Sequence, residues 1–310
     1  MNNGTAPISE KLTYPPTVTI IIPTYNSSGT LKLTLDSVLR QNFKDYEVWI
    51  IGDGCTDNSE PIVTSFKDQR LHWINLQKNS GTPSKPRNEG LRRAKGQYIA
   101  YLGHDDLWFP WHLEELIKYI QQSEYDFVYS LGASIGPEGV VGFFSLPENL
   151  KSQHGGLSPS NWLHKLSLID VVGQWSLKTK VSDDQEFLQR IWAHKTKTGF
   201  YPQLSVLKFP SIFWKMYSLS TNFPQMKYMN AMTRNAELLR LDVLLEYVAA
   251  LSKHFRGLSR RNQFLEPIYD LIRFLVNLYG RHRWPINHLL YRRYRRKAGL
   301  SAKQPIHISK

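Results

Sequence analysis

Val18-Thr19-Ile20-Ile21-Ile22-Pro23-Thr24-Tyr25-Asn26 decides the fold. Five consecutive β-branched residues, without charge and without alternation, read as a strand buried on both faces, the kind parallel sheets use. Pro23 stops the run and a polar turn follows. The same grammar recurs at residues 46–51, ended by Gly52-Asp53-Gly54. It recurs again where Tyr98-Ile99-Ala100-Tyr101-Leu102 runs into Gly103-His104-Asp105-Asp106. Residues 71–76 and 127–131 read as further strands. Between them lie helical patterns: Leu31, Leu35, Val38 and Leu39 share one face of 29–41, Pro83 opens a helix over 83–94, and another spans 110–122. Strands alternating with helices predict an α/β fold with a doubly wound, mostly parallel sheet flanked by helices. Such sheets bind ligands beyond the carboxyl ends of their strands, and the polar clusters stand at those ends here.

Farther along, residues 132–157 are rich in Gly, Pro and Ser and predict a hairpin or loop. A helix is expected over 182–192 and a late strand over 205–209. Past residue 230 the pattern is helical, with Leu238, Leu241, Leu244, Leu245, Val248 and Leu251 on one face; residues 264–279 form a second amphipathic stretch. The expected organisation is a lead-in over 1–16, an α/β domain over 17–210 and a basic, mainly helical extension over 211–310.

A single cysteine, Cys55, excludes an internal disulfide and a thiolate metal cluster. No signal-peptide pattern opens the sequence and no apolar run reaches the roughly 18 residues of a spanning helix. The expectation is a soluble or peripheral protein of the cytoplasm, at most resting on the inner face of the membrane. Nearly all of the formal charge of +13 comes from residues after 252, where fourteen basic side chains face only Glu266 and Asp270. Arg292-Arg293-Tyr294-Arg295-Arg296-Lys297 would suit an anionic membrane surface; a solvated or docked helix has the same composition. Nucleic acid is disfavoured, since no zinc-finger, helix-turn-helix or RNP signature accompanies the charge.

Asp105 and Asp106, at a strand end, suit a hard cation such as Mn²⁺ or Mg²⁺, which takes oxygen ligands and shares substrate phosphates. A turn or a helix cap would use the same residues. Asp53 adds a third acid at that edge, although Asp-Gly is also a common turn. Asp183 and Asp184 fit a first helical turn capped by Ser182.

The ordered set of motifs resembles the family 2 glycosyltransferases. The run 18–26 is similar to that family's opening strand. Ile51-Gly52-Asp53-Gly54-Cys55-Thr56-Asp57 is similar to its Asp-Asp-Gly-Ser-x-Asp loop. Arg87-Asn88-Glu89-Gly90 is similar to the segment before its DXD motif, and Gly103-His104-Asp105 occupies the DXD position. Gly173-Gln174-Trp175 and Asp183-Asp184 resemble its late Gly-Gly-Phe/Trp and Glu-Asp segments. The resemblance covers about residues 17–208. It implies a GT-A fold and inverting transfer from a nucleoside-diphosphate sugar, a UDP-sugar foremost, to a saccharide or lipid-linked acceptor during polysaccharide or cell-envelope assembly. Carried over by position, Pro23, Thr24, Tyr25, Asn26, Asp53 and Arg87 hold the nucleotide. Asp105, with Asp106, holds the metal, and Asp184, beside Asp183, is the general base.

Gly52 and Gly103 stand where the family carries acids, which gives substance to the first of two rivals to transfer. A catalytically silent nucleotide-sugar-binding regulator or scaffold would share the fold. A nucleotidyltransferase would show a better phosphate loop than Asn26-Ser27-Ser28-Gly29.

Overall fold

The computed structural model describes residues 15–145, 157–178, 183–211 and 223–258. The chain separates into two compact units, Met1–Glu237 and Leu238–Lys310. Of the second unit, only the helix through Leu258 is described; the predicted 264–279 stretch and the basic run 292–297 lie outside the described residues.

The first unit is built on one nine-stranded sheet. Its strands are β1 (Val18–Thr24), β2 (Tyr46–Gly52), β3 (Leu71–Asn75), β4 (Tyr98–Tyr101), β5 (Leu107–Trp108), β6 (Phe127–Gly136), β7 (Gly139–Phe144), β8 (Trp162–Lys165) and β9 (Thr198–Lys208). They lie in the order β3-β2-β1-β4-β8-β6-β9-β5, with β7 on β6. The first four are parallel, as expected from their apolar runs. The other half is mixed: β8 inserts antiparallel between β4 and β6, while β9 runs parallel to β6.

The helices are α1 (Ser28–Leu39), α2 (Ser59–Ser65), α3 (Ser84–Arg93), α4 (His112–Gln122), α5 (Leu168–Val172), α6 (Asp183–Ala193) and α7 (Pro224–Leu258), the last interrupted by the extended Asn235. They cover both faces. Val18, Ile20 and Ile22 of β1 and Tyr98 and Ala100 of β4 pack with α1, α2 and α4. Ile21, Ile99 and Tyr101 point the other way, onto α3, α5 and α6. This alternation follows from the period of two along a strand. It is why uninterrupted apolar runs were needed.

The first turns of α7 belong to the first unit, which runs to Glu237. Gln225 Nε2 donates to the Asp105 carbonyl at 3.0 Å, and Tyr228 meets Phe209 edge-on. Among the described residues no helix is long and apolar enough to cross a membrane.

Candidate active site

The parallel half delivers its loops to one edge. Asp53 N–H donates to the Thr24 carbonyl at 2.7 Å, which fastens the end of β2 to the end of β1. Gly54 turns the chain back at φ 71°, where a side chain would be strained. Asn26, at φ 41°, accepts the Thr56 N–H on Oδ1 at 2.8 Å. Asp57 accepts the first N–H of α1, from Ser28, at 2.8 Å. The His104 ring donates from Nδ1 to the Pro23 carbonyl at 3.2 Å. Thus Pro23 and Asn26 spend these groups on shaping the edge. Thr24 is buried, and Tyr25 is 37% exposed at the rim.

Asp53 is buried, and its Oδ2 accepts both Ser80 N–H and Ser80 Oγ–H at 2.9 Å. Its Oδ1 is buried with no protein donor. A buried acceptor left unmatched is costly unless a ligand supplies the donor. Beside it, a Cβ on Gly52 would lie 2.6 Å from Asn75 Oδ1 and 2.8 Å from the Trp73 ring. Asn75 holds the loop with two bonds, from Cys55 N–H and to the Cys55 carbonyl, both 2.8 Å. The space a carboxylate would need at position 52 is therefore filled.

Asp105 and Asp106 differ sharply. Asp106 is fully buried; Ser160 Oγ donates to it at 2.6 Å, Lys208 Nζ at 3.3 Å and Phe209 N–H at 3.2 Å. Protein donors thus reach both oxygens of this expected metal ligand. Asp105 takes no donor from another described residue. Burial pushes its carboxyl up and Asp106 pushes it further, against the pull of His104 and Lys208. Such a carboxylate fits a hard divalent cation, which can be held by one carboxylate and substrate phosphates. Among the described residues no group of three His, Cys, Asp or Glu side chains converges to hold a metal without substrate.

Three of the quoted motifs meet at α3. Arg87 is buried; its Nη1 donates to Asp183 Oδ2 at 2.9 Å, and its guanidinium lies 4.2 Å from the Trp175 ring. Ser84 Oγ donates to the same Asp183 oxygen at 2.9 Å. Asn88 clasps the Trp175 backbone from both sides, at 2.8 and 2.9 Å. Arg87, expected near the nucleotide, is thus committed to Asp183. Asp183 Oδ1 in turn accepts the Asp184 N–H at 2.9 Å. Asp184 accepts its neighbour Gln185 N–H on Oδ1 and keeps Oδ2 without a donor among the described residues. The acids open a helix, where the macrodipole favours negative charge. Behind them Trp175 Nε1–H donates to Tyr101 Oη, which meets His164 Nε2 at 3.2 Å, inside stacked Trp162, Trp175 and Phe187.

The glycosyl transferase family 2 profile matches residues 19–167, which hold this edge from β1 through β8. Residues 19–167 are a family 2 glycosyltransferase domain. The domain is 39% identical over 128 residues to the poly(ribitol-phosphate) beta-N-acetylglucosaminyltransferase TarP of Staphylococcus aureus, covering 40% of this chain and 37% of TarP. It is 31% identical over 133 residues to the UDP-Glc:alpha-D-GlcNAc-diphosphoundecaprenol beta-1,3-glucosyltransferase WfgD of Escherichia coli, covering 43% and 52%. The chain thus spans about half or less of these two relatives. The Staphylococcus aureus TarS structure in complex with UDP-GlcNAc superposes with a TM-score of 0.55 over 83% of this chain and 81% of that one, at 20% identity. At that identity the likeness is one of fold, and it makes the family 2 domain part of a GT-A architecture.

Ser84, Ser160 and Lys208 were missed in the sequence. Lys208 lies in the predicted late strand 205–209 and ends β9, so the rule that pointed to Asp53 and Asp105 applies to it as well. Nothing local marks Ser160.

Proposed function

We propose that this chain is an inverting glycosyltransferase that moves a hexose from a nucleoside-diphosphate sugar, first of all a UDP-sugar, to a hydroxyl of a saccharide or lipid-linked acceptor. The observation that carries the reading is the half-open Asp184 carboxylate, presented by an Asp183 that Arg87 and Ser84 anchor. Asp184 takes the proton of the acceptor hydroxyl as that oxygen bonds to the anomeric carbon. The bond from this carbon to the diphosphate oxygen breaks at the same time, and its electron pair leaves with the diphosphate. One displacement inverts the centre and needs no covalent enzyme intermediate.

On the donor side, the unmatched Asp53 Oδ1 would accept an N–H or O–H of the nucleoside. Asp105 would hold Mn²⁺ or Mg²⁺, which supplies positive charge for the departing diphosphate. The reading draws support from fold neighbours described with UDP-GlcNAc and with GDP-Man and Mn²⁺, the latter a mannosyltransferase from Pyrobaculum calidifontis at a TM-score of 0.51.

A second reading, nucleotide-sugar binding without turnover, draws on the missing acids at Gly52 and Gly103. One experiment separates the two. Wild type and Asp184→Asn are assayed for sugar transfer and, in parallel, for thermal stabilisation by nucleoside diphosphates. Transfer lost by about 10²- to 10⁴-fold with stabilisation intact is the expected result. Wild type that is stabilised but transfers no sugar to any saccharide or polyprenyl-linked acceptor supports the silent binder.

A further inference from the structure

The edge that carries Asp105 already holds a positive charge of its own. Lys208 ends β9, and its side chain is 35% exposed, whereas the Asp106 it pairs with is fully buried. Burial alone would lower the Lys208 ammonium, but Asp106 and Asp105 outweigh it and hold it above the usual lysine value, against the nearby charge of Arg87. The group is therefore charged at neutral pH, close to both acids.

An ammonium has three donors. One goes to Asp106 at 3.3 Å, and the other two have no protein acceptor among the described residues. Arg87, by contrast, is buried and paired through Nη1 with Asp183. A charge count shows what the lysine changes. Asp105 and Asp106 carry two negative charges, which a divalent cation would only balance. With Lys208 cancelling Asp106, the loaded edge keeps one positive charge in excess, the sign an incoming diphosphate requires. Gly103 leaves the approach open: a Cβ there would stand 3.0 Å from Asp106 Oδ2 and 3.1 Å from Asp105 Oδ1, so both acids converge on bare backbone.

We propose that Lys208 is a diphosphate-binding residue, whose spare N–H groups contact the donor's phosphate oxygens beside Asp105. The proposal rests on the donor-site reading above. Its rival is a lysine that only neutralises buried Asp106, and the two differ in which part of the nucleotide feels the lysine.

The test measures dissociation constants by calorimetry for UDP, GDP, CDP and ADP and for the matching nucleosides, in Mn²⁺ and in EDTA, on wild type, Lys208→Met and Lys208→Arg. The expected result is a loss of about 10- to 100-fold for the diphosphate in Lys208→Met, the size of a charge-assisted hydrogen bond. Nucleoside affinity should be unchanged, and Lys208→Arg should keep most of the diphosphate affinity. Equal losses for diphosphate and nucleoside, or no loss for either, would overturn the proposal. Lys208→Met leaves Asp106 buried without its cation, so the comparison is repeated in Asp106→Asn/Lys208→Met, which removes both charges together. A wild type that binds none of the four diphosphates overturns the donor-site reading, and this proposal with it.

Discussion

Burial pushes the Asp105 carboxyl above its ordinary value of 3.8, and the adjacent Asp106 charge adds to the effect. The folded protein thus holds a proton on Asp105 more tightly than the unfolded chain does. Its favourable contribution is complete below the ordinary value and is lost as pH rises through the raised one. At pH 7, above that ordinary value, burying this carboxyl costs stability that the unfolded chain does not pay. Asp105→Asn should therefore raise the melting temperature at pH 7, by about 2–4 °C for each kcal/mol recovered. The gain should shrink as the pH is brought down towards 3.5. Calorimetry at both pH values decides it, and a lower melting temperature for the variant at pH 7 would mean that the fold needs the carboxylate. At this scale the sequence located the acids but not their partners. Asp105 and Asp106 are neighbours with the same side chain, and only Ser160, Lys208 and the Phe209 N–H, brought in from 54 to 103 residues away, separate an open acid from a saturated one.

Helix α3 shows what an element adds to its residues. Ser84, Arg87 and Asn88 fall on one face by i, i+3 and i+4 spacing, and from it they reach Asp183 and Trp175, 87 to 99 residues later. Asn88→Ala removes both bonds to the Trp175 backbone and should cost about 1–3 kcal/mol of stability. It should lower kcat about tenfold through the loosened Trp175–Arg87–Asp183 contact while leaving nucleotide affinity unchanged; a tenfold loss of nucleotide affinity at constant kcat would place α3 on the donor side instead. The helix itself was legible from Pro83 at its start, whereas its tertiary partners left no local trace. Strand legibility divides the same way. β1, β2 and β4 are apolar runs, but β5 has only two residues and β8, Trp162-Leu163-His164-Lys165, is half basic or polar. Strand β9 begins at Thr198, seven residues before the predicted 205, because it continues through Pro202, where the pairing with β6 shifts register.

The whole first unit carries two imidazoles in its core. Burial pushes His112 down to about 3 and His164 down to about 4, from 6.5. Both are depressed, so the stability they confer is complete above pH 6.5 and falls as pH drops towards those values. Each takes away up to about 1.4 kcal/mol per pH unit across that window. Urea midpoints measured from pH 7.5 to 4.5 should hold steady at first and then fall, more gently in His112→Gln and in His164→Gln. A midpoint that stays level from 7 to 5 in wild type would rule the effect out. Neither histidine could be ranked from sequence, because a core histidine and a surface one look alike until the strands around them are placed.

The filled space at Gly52 bears on how such an edge can change. A carboxylate cannot return there by one substitution while the Trp73 ring and the Asn75 amide hold their ground. The two neighbours would have to shrink first, and losing Asn75 would release the Cys55 loop that it ties down on both sides. The order of steps is constrained, so any lineage carrying this arrangement is held to it by its neighbours as much as by its chemistry.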